Sequence, residues 1–290
     1  MKSDQINTQY QQVNQIKIHT HIAGPVGGEP VVLLHGFPEF WYGWRSQIPV
    51  LAGLGYRVIV PDQRGYNLSD KPKGLRHYDI DLLARDVIGL IEGLGYQRVH
   101  LAGHDWGGLV AWWVAMHYPE WVNRLAILNA PHPYAMMQNL YRNRIQRRRS
   151  WYILFFQLPF LPEWALSYAG HNTAARMLER GGLPGSFLPA DIEHYRQAWG
   201  QPRAWTGMIN WYRAIRRLIF GRISSIRVQM PAIIIWGEQD RALGAEMAEK
   251  SLAYCDQGRL ELIPEATHWV QHDAADRVNE RLVDFFGHQD

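Results

Sequence analysis

Short apolar segments alternate with helical segments along the first half of this chain of 290 residues. Residues 31–34 and 57–60 are rich in branched apolar side chains and are followed by turn-forming residues, which is typical of buried strands. The pattern continues with strands predicted at residues 98–102 and 125–128 and a helix between them at residues 107–118. Strands that alternate with helices form a mostly parallel sheet with helices on its faces. The alternation therefore predicts an α/β fold.

A different kind of sequence interrupts this alternation between residues 133 and 222. The segments SWYILFFQLPFLPEWAL and NWYRAIRRLIF are rich in aromatic residues and Arg, and they are typical of helices with no strand between them. Strand patterns resume at residues 232–236 and 259–263, each followed by a helical stretch. We therefore predict a core built from residues 1–132 and 223–290, with residues 133–222 inserted in it as a helical cap.

The distribution of charge argues against a nucleic-acid partner. The formal net charge is only +3, and five arginines between residues 142 and 149 carry part of the basic excess. Such a run is more often the solvated face of a helix than a nucleic-acid site, and no nucleic-acid motif or basic tail accompanies it. We therefore expect no nucleic-acid partner.

The N-terminus and the cysteine content indicate a compartment. The segment MKSDQINTQYQQVNQ is polar, and no stretch reaches the roughly 18 consecutive apolar residues of a membrane-spanning helix. The single cysteine, Cys255, cannot form a disulfide within the chain. These features predict a cytoplasmic protein with no membrane partner. The 13 Trp residues suit an apolar pocket, but aromatic cap surfaces could also pack against a second chain, so a homodimer stays open.

Asp105 stands in a tight turn between a predicted strand and a predicted helix. The segment Gly103-His-Asp-Trp-Gly-Gly108 has glycines on both sides of this residue, which is the arrangement of a nucleophile elbow with Asp where Ser usually stands. Little side-chain bulk fits beside such a sharp turn, and the N-terminus of the following helix stabilises an anion. Asp is also a favoured helix N-cap, so this segment alone leaves both roles open.

Two backbone N–H groups near Asp105 are candidates for an oxyanion hole. The motif His35-Gly-Phe-Pro38 follows the strand predicted at residues 31–34, where a fold with such an elbow places one of these groups, here the N–H of Phe37. Trp106, the residue after the candidate nucleophile, supplies the other. As an isolated match, the motif is also an ordinary Gly-Pro turn.

The candidate acid and base come later in the chain. Asp240 follows the strand predicted at residues 232–236, and His268 follows the last predicted strand. The order of nucleophile, acid and His is that of an α/β-hydrolase triad, although a single loop His is usually structural and this chain has 13 His. We therefore predict a triad of Asp105, Asp240 and His268.

A carboxylate nucleophile predicts the type of carbon that is attacked. Attack by a serine oxygen on an alkyl carbon would give an ether that the site could not hydrolyse, whereas attack by Asp105 gives an ester. Water activated by His268 can then attack the ester carbonyl, while the two amides hold the oxyanion and Asp240 orients the imidazole. The electrophile of the substrate is therefore an sp³ carbon.

The chain resembles the epoxide hydrolases of the α/β-hydrolase superfamily over nearly its whole length. The matching segments are HGFPEFWYGWRSQIP at 35–49, GHDWGG at 103–108, WYILFFQLP at 151–159, NWYR at 210–213, and the segments around Asp240 and His268. The resemblance implies a mostly parallel eight-stranded sheet with flanking helices and an inserted helical cap. It also implies that Tyr152 and Tyr212, one from each cap segment, polarise the epoxide oxygen and protonate the alkoxide.

Other roles for these tyrosines stay open, because both stand among aromatic residues and could simply pack in the cap. Tyr42, Tyr66 and Tyr195 also lie in regions that could approach the pocket, and Tyr195 is the alternative acid. The expected partners are a small apolar epoxide and water. No cofactor is implied, and no metal is implied either, since the His residues show no ligand spacing such as HExxH.

Two other functions remain alternatives. A haloalkane dehalogenase shares the Asp elbow and holds the departing halide with an indole N–H, here that of Trp106. Its second halide donor often stands where this chain has Phe37, whose side chain offers no donor. A non-catalytic ligand-binding protein on the same fold is the alternative from another class, and the intact triad argues against it.

Overall fold

The structure is a computed structural model that describes residues 7–215 and 226–287. The strands in this part of the chain are β1 (Asn7–Val13), β2 (Ile16–Ala23), β3 (Pro30–Leu34), β4 (Arg57–Pro61), β5 (Val99–His104), β6 (Val122–Leu128), β7 (Val228–Gly237) and β8 (Cys255–Ile263). They form one eight-stranded sheet in the order β1-β2-β4-β3-β5-β6-β7-β8. The β2 strand is antiparallel to both neighbours, and the other pairs are parallel. The mostly parallel eight-stranded sheet is therefore confirmed.

All six strands predicted from apolar runs are present, with ends that differ by a few residues. The sequence analysis missed β1 and β2, which form a hairpin at the edge of the sheet. Most side chains of β1 are polar and exposed, so the strand has no apolar run to reveal it. The hairpin turns at Asn14 and Gln15, which both have positive φ angles, as a two-residue turn between twisted strands requires.

The helices follow the strands in the expected alternation and then form the cap. They are α1 (Ile48–Gly53), α2 (Ile80–Gly93), α3 (Trp106–His117), α4 (Pro133–Arg142), α5 (Arg144–Arg149), α6 (Trp151–Phe155), α7 (Leu161–Gly181), α8 (Pro189–Trp199), α9 (Ala204–Ala214), α10 (Glu246–Leu252), α11 (Val270–Asp273) and α12 (Ala275–Gly287). Short 3₁₀ helices lie at Trp41–Trp44, Leu75–Tyr78 and Pro119–Trp121. Non-helical backbone at residues 168–171 divides α7 into two parts.

The sheet is covered on both faces, which explains why its central strands are continuously apolar. Along β3, Val32 and Leu34 join the cluster that contains α2 and α3, whereas Val31 and Leu33 join the cluster that contains α1 and α12. Successive side chains of a strand point to opposite faces, so both sets are buried at once. No helix among the described residues is long and apolar enough to span a bilayer.

The helices α4 to α9 lie between β6 and β7, and no strand interrupts them within residues 133–215. The predicted cap boundary at residues 222 and 223 falls outside the described residues. Two cap indoles attach this layer to loops at the carboxyl ends of the parallel strands. The Nε1–H of Trp211 donates to the Arg64 carbonyl at 2.9 Å, and that of Trp199 donates to the Pro38 carbonyl at 2.6 Å.

Glycines allow the closest approach of cap and core. A Cβ atom on Gly207 of α9 would lie 2.4 Å from the Gly65 carbonyl oxygen, and Gly65 itself has a φ of +92°. Neither position therefore accepts a larger residue without movement of the backbone. This contact holds α9, which carries Tyr212, against the loop that follows β4.

Candidate active site

Asp105 occupies the turn between β5 and α3 with φ 50° and ψ −117°, a strained conformation for a residue with a side chain. A Cβ atom on Gly103 would lie 2.4 Å from the Gly107 carbonyl oxygen, and one on Gly107 would lie 2.2 Å from that of Leu34. The glycines on both sides are therefore required by space. The Asp105 side chain makes no N-cap hydrogen bond to α3, so the simple capping role does not apply.

The loop after β3 lies against the Asp105 carboxylate. The Phe37 backbone N–H donates to Asp105 Oδ1 at 2.8 Å. A Cβ atom on Gly36 would lie 2.5 Å from the Asp105 Cβ, so only Gly allows this approach. The Trp106 N–H belongs to the first residue of α3 and follows Asp105 directly. Both amides predicted for an oxyanion hole are thus next to the same carboxylate.

Asp240 and His268 are brought to the same carboxylate from the ends of β7 and β8. His268 Nδ1 lies 2.7 Å from Asp240 Oδ2, and His268 Nε2 lies 3.6 Å from Asp105 Oδ2. The Asp240 carboxylate also accepts from the Ala242 and Leu243 N–H groups, each at 2.8 Å. The structure therefore brings the three predicted triad residues together.

Burial and the neighbouring charges shift the pKa values of Asp240 and His268. Burial alone would raise the pKa of Asp240, but the neighbouring His268, with its charge and hydrogen bond, holds that pKa below the ordinary value. Burial alone would lower the pKa of His268, but the carboxylates of Asp240 and Asp105 raise it well above the ordinary value. His268 is therefore a stabilised imidazolium while both carboxylates are charged.

Tyr152 of α6 and Tyr212 of α9 face the Asp105 carboxylate from the cap. Their ring centroids are 5.9 Å apart, with the ring planes at 83°. Burial, and then the charge of Asp105, raises the pKa of each phenol, so both carry their protons at neutral pH. The Trp106 ring packs edge-on against the Tyr212 ring, with the ring centroids 4.9 Å apart. Both predicted tyrosines thus present neutral donors near Asp105.

The three other tyrosines considered from the sequence lie elsewhere. The Tyr195 hydroxyl donates to Glu39 Oε1 at 2.7 Å, and the Tyr42 hydroxyl donates to Asp191 Oδ1 at 2.9 Å. Tyr66 is buried, with its ring 4.7 Å from that of His35. None of the three lines a cavity next to Asp105.

Two cavities meet at Asp105, Tyr152 and Tyr212, which line both of them. The first is otherwise apolar, with Trp106, Leu109, Ala130, Pro131, Met136, Ile153, Ile215 and Leu243 as lining residues. The second, which is the larger, is lined also by Phe37, Trp151, Phe156, Met177, Gly181, Arg241, Ala242, His268 and Trp269. Apolar walls with few convergent polar groups are typical of a small-molecule site.

A buried carboxylate next to the site was missed by the sequence analysis. Glu39 Oε1 lies 2.7 Å from His272 Nε2, and Glu39 Oε2 lies 3.2 Å from His104 Nδ1. Burial opposes the charged form, but His272 and His104 hold the pKa of Glu39 well below its ordinary value. His104 Nε2 in turn lies 2.8 Å from the His268 carbonyl oxygen, so this network supports the backbone of His268. In the sequence, the only indication of a role for Glu39 was its position directly after the motif His35–Pro38.

Asn129 also supports the site, although the sequence offers no reason to assign it a role beyond its lack of a carboxylate. It follows β6 with a φ of 40°, and its Nδ2 donates to Asp240 Oδ2 at 2.9 Å. Its Oδ1 accepts from the Gly237 N–H at 2.9 Å. The Asn129 amide therefore orients Asp240 from the end of β6. In the described part of the chain, no group of three or more His, Cys, Asp or Glu residues is arranged to hold a metal ion.

Comparisons with known proteins agree with this geometry. The family model of the alpha/beta hydrolase fold matches residues 29–275. The chain is 41% identical over 286 residues to the AB hydrolase superfamily protein YfhM of Bacillus subtilis, with 99% of this chain and 100% of that protein covered. It is 36% identical to epoxide hydrolase 2 of Caenorhabditis elegans, with 96% of this chain and 79% of that protein covered.

Solved structures give the same result. A crystal structure of Bacillus megaterium epoxide hydrolase in complex with an inhibitor matches with a TM-score of 0.88 and 31% sequence identity. The match covers 97% of this chain and 100% of that one. The similarity thus includes the cap as well as the sheet.

Proposed function

This chain belongs to the α/β-hydrolase superfamily and, within it, to the epoxide hydrolases, and we propose that Asp105 is the residue that opens the epoxide ring. The chain is an enzyme that hydrolyses epoxides, the reaction named for its relatives. One observation carries the assignment of residues. Asp105 is in contact with an oxyanion-hole amide and near an imidazole, while two neutral phenols face it across a shared apolar cavity.

In the first step, Asp105 Oδ2 attacks an epoxide carbon. Oδ1 already accepts the Phe37 N–H, which leaves Oδ2 as the oxygen directed to the cavity side near His268. A bond forms between Oδ2 and the carbon, and the ring bond between that carbon and the epoxide oxygen breaks. The electron pair of the broken bond stays on the oxygen, which becomes an alkoxide.

Tyr152 and Tyr212 supply the proton that this alkoxide needs. An alkoxide is far more basic than a phenolate, whose conjugate acid has a pKa of about 10 in water, so proton transfer from a phenol is downhill. Both phenols stay protonated before the reaction because burial raises their pKa. One donates its proton while the other remains hydrogen-bonded to the oxygen. The phenolate then recovers a proton, through solvent, from the His268 imidazolium, which leaves His268 neutral for the next step.

In the second step, His268 removes a proton from water, and the hydroxide attacks Cγ of the Asp105 ester. The negative charge develops on Oδ1, where the Phe37 N–H already donates and the Trp106 N–H is adjacent. The Cγ–Oδ2 bond then breaks, and the glycol takes Oδ2 with it together with a proton from His268. The oxygen of water remains in Asp105, whose new carboxylic acid passes its proton to His268, and a vicinal diol leaves.

The two cavities support a small apolar epoxide as the substrate. Because both meet at Asp105 and the tyrosines, an epoxide held there can place one substituent in each cavity. Arg241 is the only charged residue besides Asp105 and His268 among the residues lining the larger cavity. Apolar substituents therefore gain most from this site.

Dehalogenation is the alternative that the same nucleophile would allow. It would require the Trp106 indole N–H to hold a halide, but the Trp106 ring packs edge-on against Tyr212, and the side chain of Phe37 offers no second donor. A halide also leaves as a stable anion and needs no proton, so the two phenols would have no leaving group to protonate. The geometry therefore favours epoxide opening over dehalogenation.

We also propose the finer assignments that the fold leaves open: a cap spanning residues 133–222, a cytoplasmic location and no nucleic-acid partner. The buried, unpaired thiol of Cys255 suits a reducing compartment. The proposed start of the cap at residue 133 is supported by α4, the first of the cap helices, which begins at Pro133. Fractionation of cells with an antibody to the chain would test the location.

A single-turnover experiment in ¹⁸O-labelled water tests the residue assignments. With enzyme in excess over an aryl epoxide, the label should enter Asp105 and not the first diol released, because the diol takes Oδ2. Digestion and mass spectrometry locate the label. Label in the diol alone would mean direct attack by water and would exclude Asp105 as the nucleophile. A bromoalkane assayed in parallel for bromide release tests the dehalogenase alternative.

A further inference from the structure

The cap exposes a concentration of large apolar side chains. Of the seventeen exposed large hydrophobic residues in the described part of the chain, ten lie between Tyr141 and Met177. Single exposed apolar residues are normal on a protein surface, but such a cluster indicates an interaction site. We call this the cap surface, defined by Tyr141, Ile145, Trp151, Leu154, Leu158, Phe160, Leu161, Trp164, Tyr168 and Met177.

Helical spacing groups part of the cap surface into stripes. Leu161, Trp164 and Tyr168 follow one another at intervals of three and four, so the first part of α7 presents them along one side. Trp164 is 61% exposed, and Phe160, just before this helix, is 83% exposed. Leu154 on α6 is 75% exposed. These helices therefore keep an apolar side that the rest of the described chain does not cover.

A basic run precedes these stripes in the chain. Its five arginines, Arg142, Arg144, Arg147, Arg148 and Arg149, lie within ten residues of Trp151. Between Tyr141 and Tyr168, the only acidic residue is Glu163, and it is paired with Arg213 at 2.6 Å. Glu246 accepts from Asn143 within the arginine run at 2.9 Å, so one carboxylate stands against five arginines. The cap surface is therefore apolar, with a net basic run at its start.

We propose that the cap surface docks onto bilayers that contain anionic phospholipids. Helices that lie in the interface of a membrane combine exposed Trp, Phe and Leu side chains with Lys or Arg, as α5 to α7 do. Arg side chains bind phosphate headgroups well, and the aromatic rings insert at the headgroup level. The contact is peripheral and needs no spanning helix. It goes beyond the sequence analysis, in which the Arg run was interpreted as a solvated helix face and no membrane partner was expected.

The charge of the cap surface favours this occupant over a second copy of the chain. Most homodimers are symmetric, so each copy would present the same patch to the other. The five arginines would then face a copy of the same apolar and basic patch, which offers no acidic segment to neutralise them. The negative phosphate groups of an anionic lipid surface would neutralise the arginines directly.

The cap surface also reaches the mouth of the larger cavity. Trp151 and Met177 belong to the cap surface and line that cavity with Asp105 and His268. In the docked orientation, the mouth faces the bilayer, in which apolar epoxides concentrate. This last point rests on the proposed function, whereas the docking itself does not.

Sedimentation with vesicles tests the docking. The purified full-length chain is mixed at low salt with vesicles of phosphatidylcholine alone or with about 30% phosphatidylglycerol, which gives the surface a negative potential. We expect binding to the anionic vesicles only, with loss at high salt because the charges are exposed. Arg148→Gln should weaken binding about fivefold and Trp164→Ser at least about tenfold.

Matched control variants separate the cap surface from general effects. Leu54→Ser and Arg259→Gln remove an exposed apolar residue and an exposed Arg from other parts of the surface, and they should bind like the native chain. None of the four variants alters a residue lining the cavities at Asp105, so epoxide turnover in solution should persist in all of them.

Three results would overturn the proposal. These are absence of binding to anionic vesicles at low salt, equal binding by the cap and control variants, and a dimer in light scattering that Trp164→Ser dissociates while vesicles are not bound. The last result would mean that a second copy covers the cap surface. Because binding does not require turnover, an inactive but vesicle-bound protein would contradict the proposed function alone.

Discussion

Removal of both cavity phenols tests the first chemical step directly. The double variant Tyr152→Phe/Tyr212→Phe keeps both rings and their packing but loses the two hydroxyls that would protonate the alkoxide. Burial and the charge of Asp105 raise the pKa of both groups, so in the native enzyme each is a neutral donor at working pH. We therefore expect a folded protein in which ring opening is slow.

The magnitude follows from the number of donors that face the alkoxide. A hydrogen bond to a charged group is worth about 1.5–3 kcal/mol in a protein. Since about 1.36 kcal/mol corresponds to a tenfold change in rate, loss of one phenol should slow ester formation about 10- to 150-fold. Loss of both should slow it about 10²- to 10⁴-fold, which is the range expected for general acid catalysis.

Rapid quenching of a single turnover measures this step apart from the next one. With enzyme in excess, the mass of the Asp105 ester gives its rate of formation and its rate of hydrolysis. The matched control is Tyr195→Phe, which removes a hydroxyl that donates to Glu39 and does not line the cavities. Ester formation at the native rate in the double variant would refute the role of the tyrosines. A variant that forms the ester normally but hydrolyses it slowly would also contradict it.

Three further perturbations have defined outcomes. His268→Gln should form the ester but not hydrolyse it, so intact-mass spectrometry should show an increase equal to the mass of the epoxide; rapid diol release would exclude His268 as the base. Gly207→Ala should destabilise the protein by about 1–3 kcal/mol in urea unfolding, because its Cβ would lie 2.4 Å from the Gly65 carbonyl oxygen, and an unchanged midpoint would contradict the close contact. The carboxylates raise the pKa of His268, so the stabilisation from its charged form is fully present below about pH 6.5 and is lost as the pH rises through the folded pKa. The difference in free energy of unfolding between the native chain and His268→Gln should therefore shrink with increasing pH.

The features that could be predicted from the sequence are those that depend on residues close together in the chain. The elbow at Asp105 depends on a turn whose glycines are its near neighbours, and their spacing is visible without the fold. The six buried strands were visible because helices cover both faces and force continuous apolar runs. The edge strand β1 is mostly polar and exposed, and β2 mixes apolar with polar residues, so neither carries such a run and neither could be found in this way.

Contacts between residues that are far apart in the sequence could not be predicted from it. Glu39 and His272 are 233 positions apart, and only the fold shows that they are paired. Likewise, α6 and α7 are rich in apolar residues that predict burial by composition alone, yet Leu154 and Trp164 are largely exposed. Composition reports how apolar a helix is, but the side that is covered depends on the packing of the whole cap.

The charge on His268 orders the two steps of the proposed reaction. While Asp105 is free, both carboxylates hold the pKa of His268 well above its usual value, so the ring is an imidazolium and cannot accept a proton from water. Ester formation removes the charge of Asp105, leaving Asp240 alone, and the pKa of His268 falls so that it becomes a base. The variant Asp105→Asn imitates the neutral ester, so its His268 should titrate at lower pH than in the native enzyme, as followed by NMR of the imidazole. Asp191→Asn, which removes a buried carboxylate bound to Tyr42, is the control and should leave that titration unchanged. If Asp105→Asn left it unchanged as well, the charge of Asp105 would not control the base, and another feature would have to keep water from reacting before the ester forms.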